Sequence, residues 1–198
     1  MSDKYYKRMY TVSEFYTFLQ EALRTMTYMN KAKKTNALDN QAIERIMLAV
    51  TEVNGCELCS YKHTEEALKH GMTQEEINQM LSGGKDHIPE DESVAIFFAQ
   101  HYAESKGKPT KEAWERLVDS YGESKALGIL GATRAIMMGN THGIAMSALL
   151  SRIKGKKIEK SSLGYELRMS LSIIPFLPTA LVHSFVLNRR KKPLLNFS

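Results

Sequence analysis

The stretch A-I-E-R-I-M-L-A-V-T-E-V-N-G-C-E-L-C-S-Y-K-H, residues 42–63, contains two helical patterns joined by a turn. Apolar residues recur at intervals of three and four up to Val53, which is the period of one face of an amphipathic helix. The N-G dipeptide that follows is typical of turns. Because Cys56 and Cys59 come directly after it, the sequence predicts a C-x-x-C pair at the beginning of the second helix.

The same helical period runs through most of the chain, and no alternating pattern typical of a β-strand is found. Thr73 and Glu76 form a capping-box pattern, which predicts a helix to about Leu81. The other segments with helical periodicity are Val12–Met29, Cys59–His70, Val94–Tyr102, Trp114–Tyr121 and Leu127–Leu150. The sequence therefore predicts an all-α fold.

The length of the chain and its cysteine content limit the class of protein. At 198 residues the chain can form one domain with a hydrophobic core, plus an appendage. Its two cysteines lie three positions apart, a spacing that suits redox or metal chemistry better than the stapling of a secreted fold. The N-terminus lacks the apolar run of a signal peptide, so we expect a cytoplasmic protein.

The positive charge of the chain is concentrated in its C-terminal part. The net charge is +5, and residues 151–198 contain ten of the 27 basic residues but two of the 22 acidic ones. A charge confined to one end argues against a nucleic-acid-binding domain, so we expect no nucleic-acid partner. We expect two units, a helical domain at 1–153 and a tail at 154–198.

The tail begins with a charged linker, residues 154–162, and continues with the apolar segment Leu171–Leu187. Pro175 and Pro178 interrupt this segment, so a helix that crosses a membrane is not expected. The favoured interpretation is a tail that packs on its own core or on a neighbouring subunit. Weak contact of residues 163–198 with a membrane surface or a partner is the alternative.

The cysteine pair and His63 can share one face of the second helix. Residues three and four apart are neighbours on a helix, so Cys56 can form a disulfide with Cys59, and His63 lies one turn beyond Cys59. The free amides and the positive dipole at the start of a helix favour a thiolate. An imidazole beside a thiol can take its proton and later return it.

Glu44 completes the predicted constellation. If the turn folds the first helix back on the second, Glu44 lies about 15 Å and His63 about 12 Å from the turn, at about 1.5 Å of rise per residue. The two side chains are then nearly level, and the carboxylate can orient the imidazole. The alternative is an ordinary glutamate in the first turn of a helix that begins after Asp39 and Asn40.

These residues resemble the carboxymuconolactone decarboxylase-like superfamily in its alkyl hydroperoxidase D-type branch. The resemblance rests on Glu44, eleven residues, the C-x-x-C pair, three residues and His63, and it continues through Gly71–Ile77. It is strongest over residues 38–81 and extends to about Leu150. It implies an all-α, compact orthogonal helical bundle of the alkyl hydroperoxidase D-like type, here with a C-terminal extension, that assembles as a trimer or hexamer.

The same resemblance implies roles for the site residues. Cys59 would attack a small hydroperoxide and Cys56 would resolve the sulfenic acid as a disulfide, with His63 and Glu44 as the proton relay. An external thiol or dithiol would reduce the disulfide again. We therefore expect an antioxidant peroxidase or disulfide oxidoreductase without a bound metal or organic cofactor. Leu58 is a departure, because this branch carries a histidine directly before the second cysteine.

Several alternatives stay open. The cysteine pair, His63 and His70 could bind zinc, although all four would then lie on one helix. The dithiol could instead sense oxidation while the tail docks a partner or a membrane, or the helical pocket could retain lactone chemistry of the decarboxylase type. His142 lies in a glycine-flanked segment that interrupts a long helix, and it is expected to be structural, with participation in the site as the alternative.

Overall fold

The computed structural model describes residues 4–84 and 88–198, and in these ranges it contains helices and no β-strand. The all-α prediction is therefore confirmed. The helices are α1 (Val12–Lys34), α2 (Asn40–Asn54), α3 (Glu57–Lys69), α4 (Gln74–Leu81), α5 (Ser93–Glu104), α6 (Lys111–Ile153) and α7 (Leu163–Arg189), with a single-turn 3₁₀ helix at Glu90–Glu92 before α5.

α6 is the central helix of the fold. It contacts α1, α2, α3, α5 and α7, and its fully buried side chains include Ile129, Leu130 and Met137. Gly131 allows α1 to approach closely, since a Cβ atom at this position would lie 2.8 Å from the carbonyl oxygen of Thr25. α6 thus holds α1 and the α2–α3 hairpin in one core.

Capping residues mark both ends of α2 and the start of α4, at turns that the sequence predicts. The side chain of Asp39 accepts a hydrogen bond from an amide in the first turn of α2, and Gly55 follows the end of that helix in the left-handed conformation, with φ 71°. Thr73 and Glu76 form the predicted capping box, and α4 ends at Leu81 as predicted.

α6 consists of two helical parts that meet at a kink, as the sequence pattern predicts. The predicted segments 114–121 and 127–150 lie on either side of Gly122, whose backbone is not helical (φ 72°, ψ 155°). The prediction that the segment around His142 interrupts this helix is wrong, because residues 139–143 are helical. Much of this segment is buried between packed helices, and that packing outweighs the low helix propensity of glycine.

α7 continues through both of its prolines. Pro175 and Pro178 lie inside the helix, so the prediction that they interrupt the apolar segment is wrong. A proline inside a helix leaves the carbonyl four residues before it without its hydrogen bond, here the carbonyls of Leu171 and Ile174. These two residues are 58% and 69% exposed. Packing of the other face of α7 against α1 and α6 keeps the helix intact.

Polar contacts fasten both ends of α7 to the core. Arg152 donates to both carboxylate oxygens of Glu166, at 2.6 and 2.7 Å, and this hydrogen bonding lowers the pKa of the buried carboxyl. After α7, Arg24 donates to the carbonyl oxygens of residues 192 and 193, and Arg134 donates to that of Leu194. The tail therefore packs on its own core.

Replacement of Gly55 with alanine is expected to destabilise the fold strongly. The left-handed φ strains any other residue, and a Cβ atom here would lie 2.8 Å from the backbone nitrogen of Lys7. We expect Gly55→Ala to lower the free energy of unfolding, measured by urea denaturation, by about 2–4 kcal/mol.

Gly155→Ala is the matched control for this substitution. Gly155 also has a positive φ, of 79°, but no heavy atom of a neighbour lies within 4 Å of a Cβ atom at this position. We expect it to lose about 1 kcal/mol, the cost of the backbone conformation alone. Equal losses in the two variants would contradict a steric role for the contact with Lys7.

Candidate active site

The two cysteines lie at the start of α3 and form a disulfide bond with each other. Their Cα atoms are 5.3 Å apart, as expected for residues three apart in a helical turn. Cys56 is fully buried, whereas 8% of Cys59 is exposed. The cysteine closer to His63 along the helix is therefore also the more accessible of the two.

Cys56 is the N-cap residue of α3. Its sulfur accepts a hydrogen bond from the backbone amide of Cys59 at 3.2 Å. A donor amide at the positive end of a helix favours negative charge on the sulfur that it contacts. The helix start therefore acts directly on the sulfur of the first cysteine of the pair.

The structure brings Glu44 and His63 together across the α2–α3 hairpin. Nδ1 of His63 donates a hydrogen bond to Oε2 of Glu44, and the two atoms are 2.8 Å apart. The side chains of His63 and Glu44 are 18% and 10% exposed, and limited access of water strengthens such a bond. Because a carboxylate can only accept, Nδ1 carries the proton and Nε2 is left to exchange protons with another group.

His63 follows Cys59 by four residues on the same helix. The Cβ atoms of such a pair are about 5–6 Å apart, so the imidazole lies one helical turn from the more exposed sulfur. Glu44 on α2 orients this imidazole from the neighbouring helix. The four site residues predicted from the sequence thus lie within a single helical hairpin.

A glycine of α6 faces the disulfide. A Cβ atom on Gly143 would lie 2.8 Å from the sulfur of Cys59 and 2.9 Å from that of Cys56. Only glycine fits at this distance while the disulfide is in place. Sequence analysis gave Gly143 no role. The glycine lies in the middle of an apolar helical pattern, where glycine lowers helix stability by about 1 kcal/mol relative to alanine. That unfavourable choice is the signal that could have indicated a role.

His142 lies against α1 and α7. Its ring centroid is 5.2 Å from that of Phe15, and its Nε2 donates to the carbonyl oxygen of Ser170 at 3.3 Å. The imidazole thus joins three helices, which is a structural role. Leu58, the residue that departs from the family pattern, is 38% exposed and stands at the protein surface.

The N-terminal segment holds the turn between α2 and α3. The amide of Tyr6 donates to the carbonyl of Gly55 at 2.7 Å, and that of Arg8 donates to the carbonyl of Asn54 at 3.3 Å. The hydroxyl of Tyr10 donates to Oδ1 of Asn54 at 2.6 Å. Burial raises the pKa of Tyr10 to about 12, so this hydroxyl keeps its proton at neutral pH.

A second group of hydrogen bonds ties the first turn of α3 to α6. The hydroxyl of Tyr6 donates to Oε2 of Glu57 at 3.0 Å and lies 2.8 Å from Oγ of Ser147, which donates to the same carboxylate oxygen at 3.2 Å. Burial raises the pKa of Tyr6, which keeps the phenol protonated. Sequence analysis missed this group because 141 positions separate Tyr6 from Ser147 and no local pattern links them.

The four residues of the alternative zinc site do not converge. The sulfurs of Cys56 and Cys59 are bonded to each other, and His70 lies where α3 ends. Within residues 4–84 and 88–198, no group of three or more histidine, cysteine, aspartate or glutamate side chains is arranged to hold a metal ion.

Comparison with known families agrees with this geometry. The carboxymuconolactone decarboxylase family matches residues 20–84, a range that includes Glu44, the cysteine pair and His63. A relative from Hyphomonas neptunium, named alkyl hydroperoxide reductase AhpD, is 30% identical over 89 residues, which are 42% of this chain and 44% of that protein. Over residues 20–84, the chain is therefore similar to the carboxymuconolactone decarboxylase family.

A second relative is similar over a longer range. The uncharacterized protein YdfG of Bacillus subtilis is 27% identical over 135 residues, which cover 67% of this chain and 91% of YdfG. No solved structure matches the chain significantly. Of these two relatives, the one named AhpD makes the chain similar in part to a protein of the alkyl hydroperoxidase D type.

Replacement of Gly143 with alanine is expected to separate α3 from α6. The added methyl group would overlap both sulfurs, so we expect Gly143→Ala to lower the free energy of unfolding of the oxidised protein by about 2–4 kcal/mol and to slow disulfide formation. Urea denaturation and a timed thiol titration after oxidation measure the two effects.

Gly139→Ala, one turn earlier on α6, is the matched control. The nearest atom to a Cβ atom at Gly139 would be 3.9 Å away, in the side chain of Ile136. Alanine is also the better helix former, so this variant should be as stable as the parent or more so. Disulfide formation at the parental rate in Gly143→Ala would contradict the close packing described here.

Proposed function

We propose that the protein is a thiol-dependent peroxidase that reduces small hydroperoxides with its cysteine pair. The observation that carries the proposal is the Cys56–Cys59 disulfide beside a His63 imidazole that Glu44 orients. A dithiol that closes to a disulfide supplies two electrons, and the imidazole moves the protons. The proposed reaction uses no metal and no organic cofactor.

The first step is attack of the Cys59 thiolate on the terminal oxygen of the hydroperoxide. Nε2 of His63 takes the thiol proton, and Glu44 stabilises the imidazolium that forms. The O–O bond breaks, the sulfur is oxidised to a sulfenic acid, and the departing alkoxide receives the proton from His63 to give an alcohol. Cys59 is assigned to this step because it is the more exposed cysteine and the one closer to His63.

The second step closes the disulfide. The Cys56 thiolate attacks the sulfur of the Cys59 sulfenic acid, the S–S bond forms, and the hydroxyl group leaves as water after it gains a proton. The Cα separation of 5.3 Å allows this closure while α3 remains folded. The buried position of Cys56 suits a thiol whose partner is always the neighbouring sulfur.

In the third step, an external thiol or dithiol reduces the disulfide and restores the dithiol. That reductant attacks the sulfur of Cys59, because Cys56 is fully buried. Cys56 then leaves as a thiolate, which the amide of Cys59 stabilises. A second thiol of the reductant displaces Cys59, so the reductant is oxidised to a disulfide and both electrons return to the protein.

The superfamily supports this class of reaction and adds two proposals. The relative from Hyphomonas neptunium is named as an alkyl hydroperoxide reductase, and the cysteine pair favours peroxide reduction over lactone decarboxylation. We propose that the chain works in the cytoplasm and, by the same resemblance, that it assembles as a homo-oligomer, a trimer or a hexamer. Sedimentation velocity of the purified protein measures this assembly.

Substitution of the two cysteines tests the proposed division of roles. With cumene hydroperoxide as substrate and dithiothreitol as reductant, Cys59→Ser should lose turnover entirely. Without dithiothreitol, Cys56→Ser should still consume one equivalent of hydroperoxide and hold a sulfenic acid that dimedone traps, as mass spectrometry would show. Hydroperoxide reduction by Cys59→Ser at the parental rate would overturn the proposal.

Substitution of His63 tests the proton relay. We expect His63→Asn to lower kcat/KM for the hydroperoxide by about a hundredfold or more, because general acid–base catalysis contributes effects of this size. His70→Asn is the matched control, since it removes an imidazole from the end of the same helix, and it should change kcat/KM less than about twofold. Equal effects of the two substitutions would exclude a specific relay through His63.

A further inference from the structure

α7 carries a face of apolar side chains that the described part of the chain leaves uncovered. We call this face the apolar stripe, and its members are Leu163, Leu167, Leu171, Ile174, Leu181 and Phe185. Their exposed fractions range from 41% to 69%. Among the described residues, α7 is the one helix long and apolar enough to cross a membrane by length and composition, and 17% of its apolar window is buried.

The charges that border the apolar stripe are almost all positive. No lysine, arginine, aspartate or glutamate occurs between Arg168 and Arg189, and three further basic residues follow directly, at 190–192. Four exposed lysines lie in the linker before α7. The structure describes all of segment 151–198, which contains two acidic residues. Glu166 is buried and paired with Arg152, so Glu159 is the exposed acidic residue of this segment.

This charge distribution disfavours a second copy of the chain as the cover of the stripe. Two α7 helices packed in the same direction would bring their basic C-terminal ends together. Two packed in opposite directions would bring Arg168 of each against the basic end of the other. Like charges repel in both arrangements, whereas an anionic surface complements all of these groups.

The other face of α7 disfavours a helix that passes through a bilayer. Oγ of Ser184 donates to the carbonyl oxygen of Gln20 at 3.0 Å, and Glu166 forms its ion pair with Arg152. These contacts fix α7 lengthwise on the core. The prolines remove the helical hydrogen bonds of the carbonyls of Leu171 and Ile174, two residues that are largely exposed. Such carbonyls need water or polar headgroups rather than hydrocarbon.

We propose that the apolar stripe and its basic ends bind the surface of an anionic phospholipid bilayer, with α7 lying along the surface. The apolar side chains enter the boundary between headgroups and acyl chains, and the arginines and lysines at both ends contact lipid phosphates. At about 1.5 Å per residue, α7 offers a contact about 40 Å long. This inference is independent of the thiol chemistry.

Vesicle flotation with the full chain tests the proposal. Two vesicle types are compared, phosphatidylcholine alone and phosphatidylcholine with about one third phosphatidylglycerol. We expect the protein to float with the anionic vesicles and to partition at least about tenfold more weakly onto the neutral ones. Raised salt should release part of the bound protein, because screening weakens the phosphate contacts.

Two sets of variants separate the apolar and the electrostatic contributions. The double variant Ile174→Gln and Phe185→Gln should lower partitioning onto anionic vesicles at least about tenfold, and Leu68→Gln is its control at an exposed apolar position on α3. The triple variant Arg189→Gln, Arg190→Gln and Lys192→Gln should do the same. Its control replaces Lys31, Lys33 and Lys34, three exposed lysines at the end of α1.

Three outcomes would overturn the proposal. The first is equal flotation with neutral and anionic vesicles, and the second is no flotation with either type. Both are measured on the parent chain, so they do not depend on whether a variant folds. The third outcome combines two results. The parent chain does not bind vesicles, and sedimentation velocity without lipid detects association between copies of the chain that the double variant abolishes. That last result would assign the stripe to contact between copies of the chain. Circular dichroism verifies that each variant keeps its helices.

Discussion

The direct packing of two cysteine sulfurs on the backbone of α6 is the contact on which the candidate site depends. Because Gly143 has no side chain, α3 approaches α6 until both sulfurs lie against it. The same approach buries Cys56 and leaves Cys59 slightly exposed. The hairpin then places α2 beside α3, so that Glu44 reaches His63. A single small residue thus determines how deep the reactive pair lies.

The N-terminal segment supports this arrangement at the same end of α3. It adds backbone hydrogen bonds to the turn between α2 and α3, and the hydroxyl of Tyr6 reaches the carboxylate of Glu57 at the first turn of α3. The turn is thereby held on two sides, by the segment that precedes α1 and by the middle of α6.

Sequence patterns predict the parts of the fold that depend on residues close together in the chain, and they do not predict contacts between distant residues. The helices, the hairpin and the level placement of Glu44 and His63 follow from the rise per residue and from a turn dipeptide. The roles of Gly143 and Tyr6 depend on contacts between distant parts of the chain, which no local pattern contains. Gly122 does break α6, whereas Gly139 and Gly143 in α6 and the prolines in α7 suggest breaks that the structure does not contain. Packing of these helices against their neighbours outweighs the local preference at those positions.

The two arginines that bind the segment after α7 have a consequence for synthesis of the protein. Arg134 is 1% exposed and donates to the carbonyl oxygen of Leu194, and Arg24 donates to the two carbonyls before it. A buried guanidinium without acceptors is costly. On the ribosome, α1 and α6 emerge before residue 194, so a nascent chain has both arginines while these three carbonyl acceptors are still missing. Full hydrogen bonding of the two guanidinium groups therefore awaits the arrival of that segment.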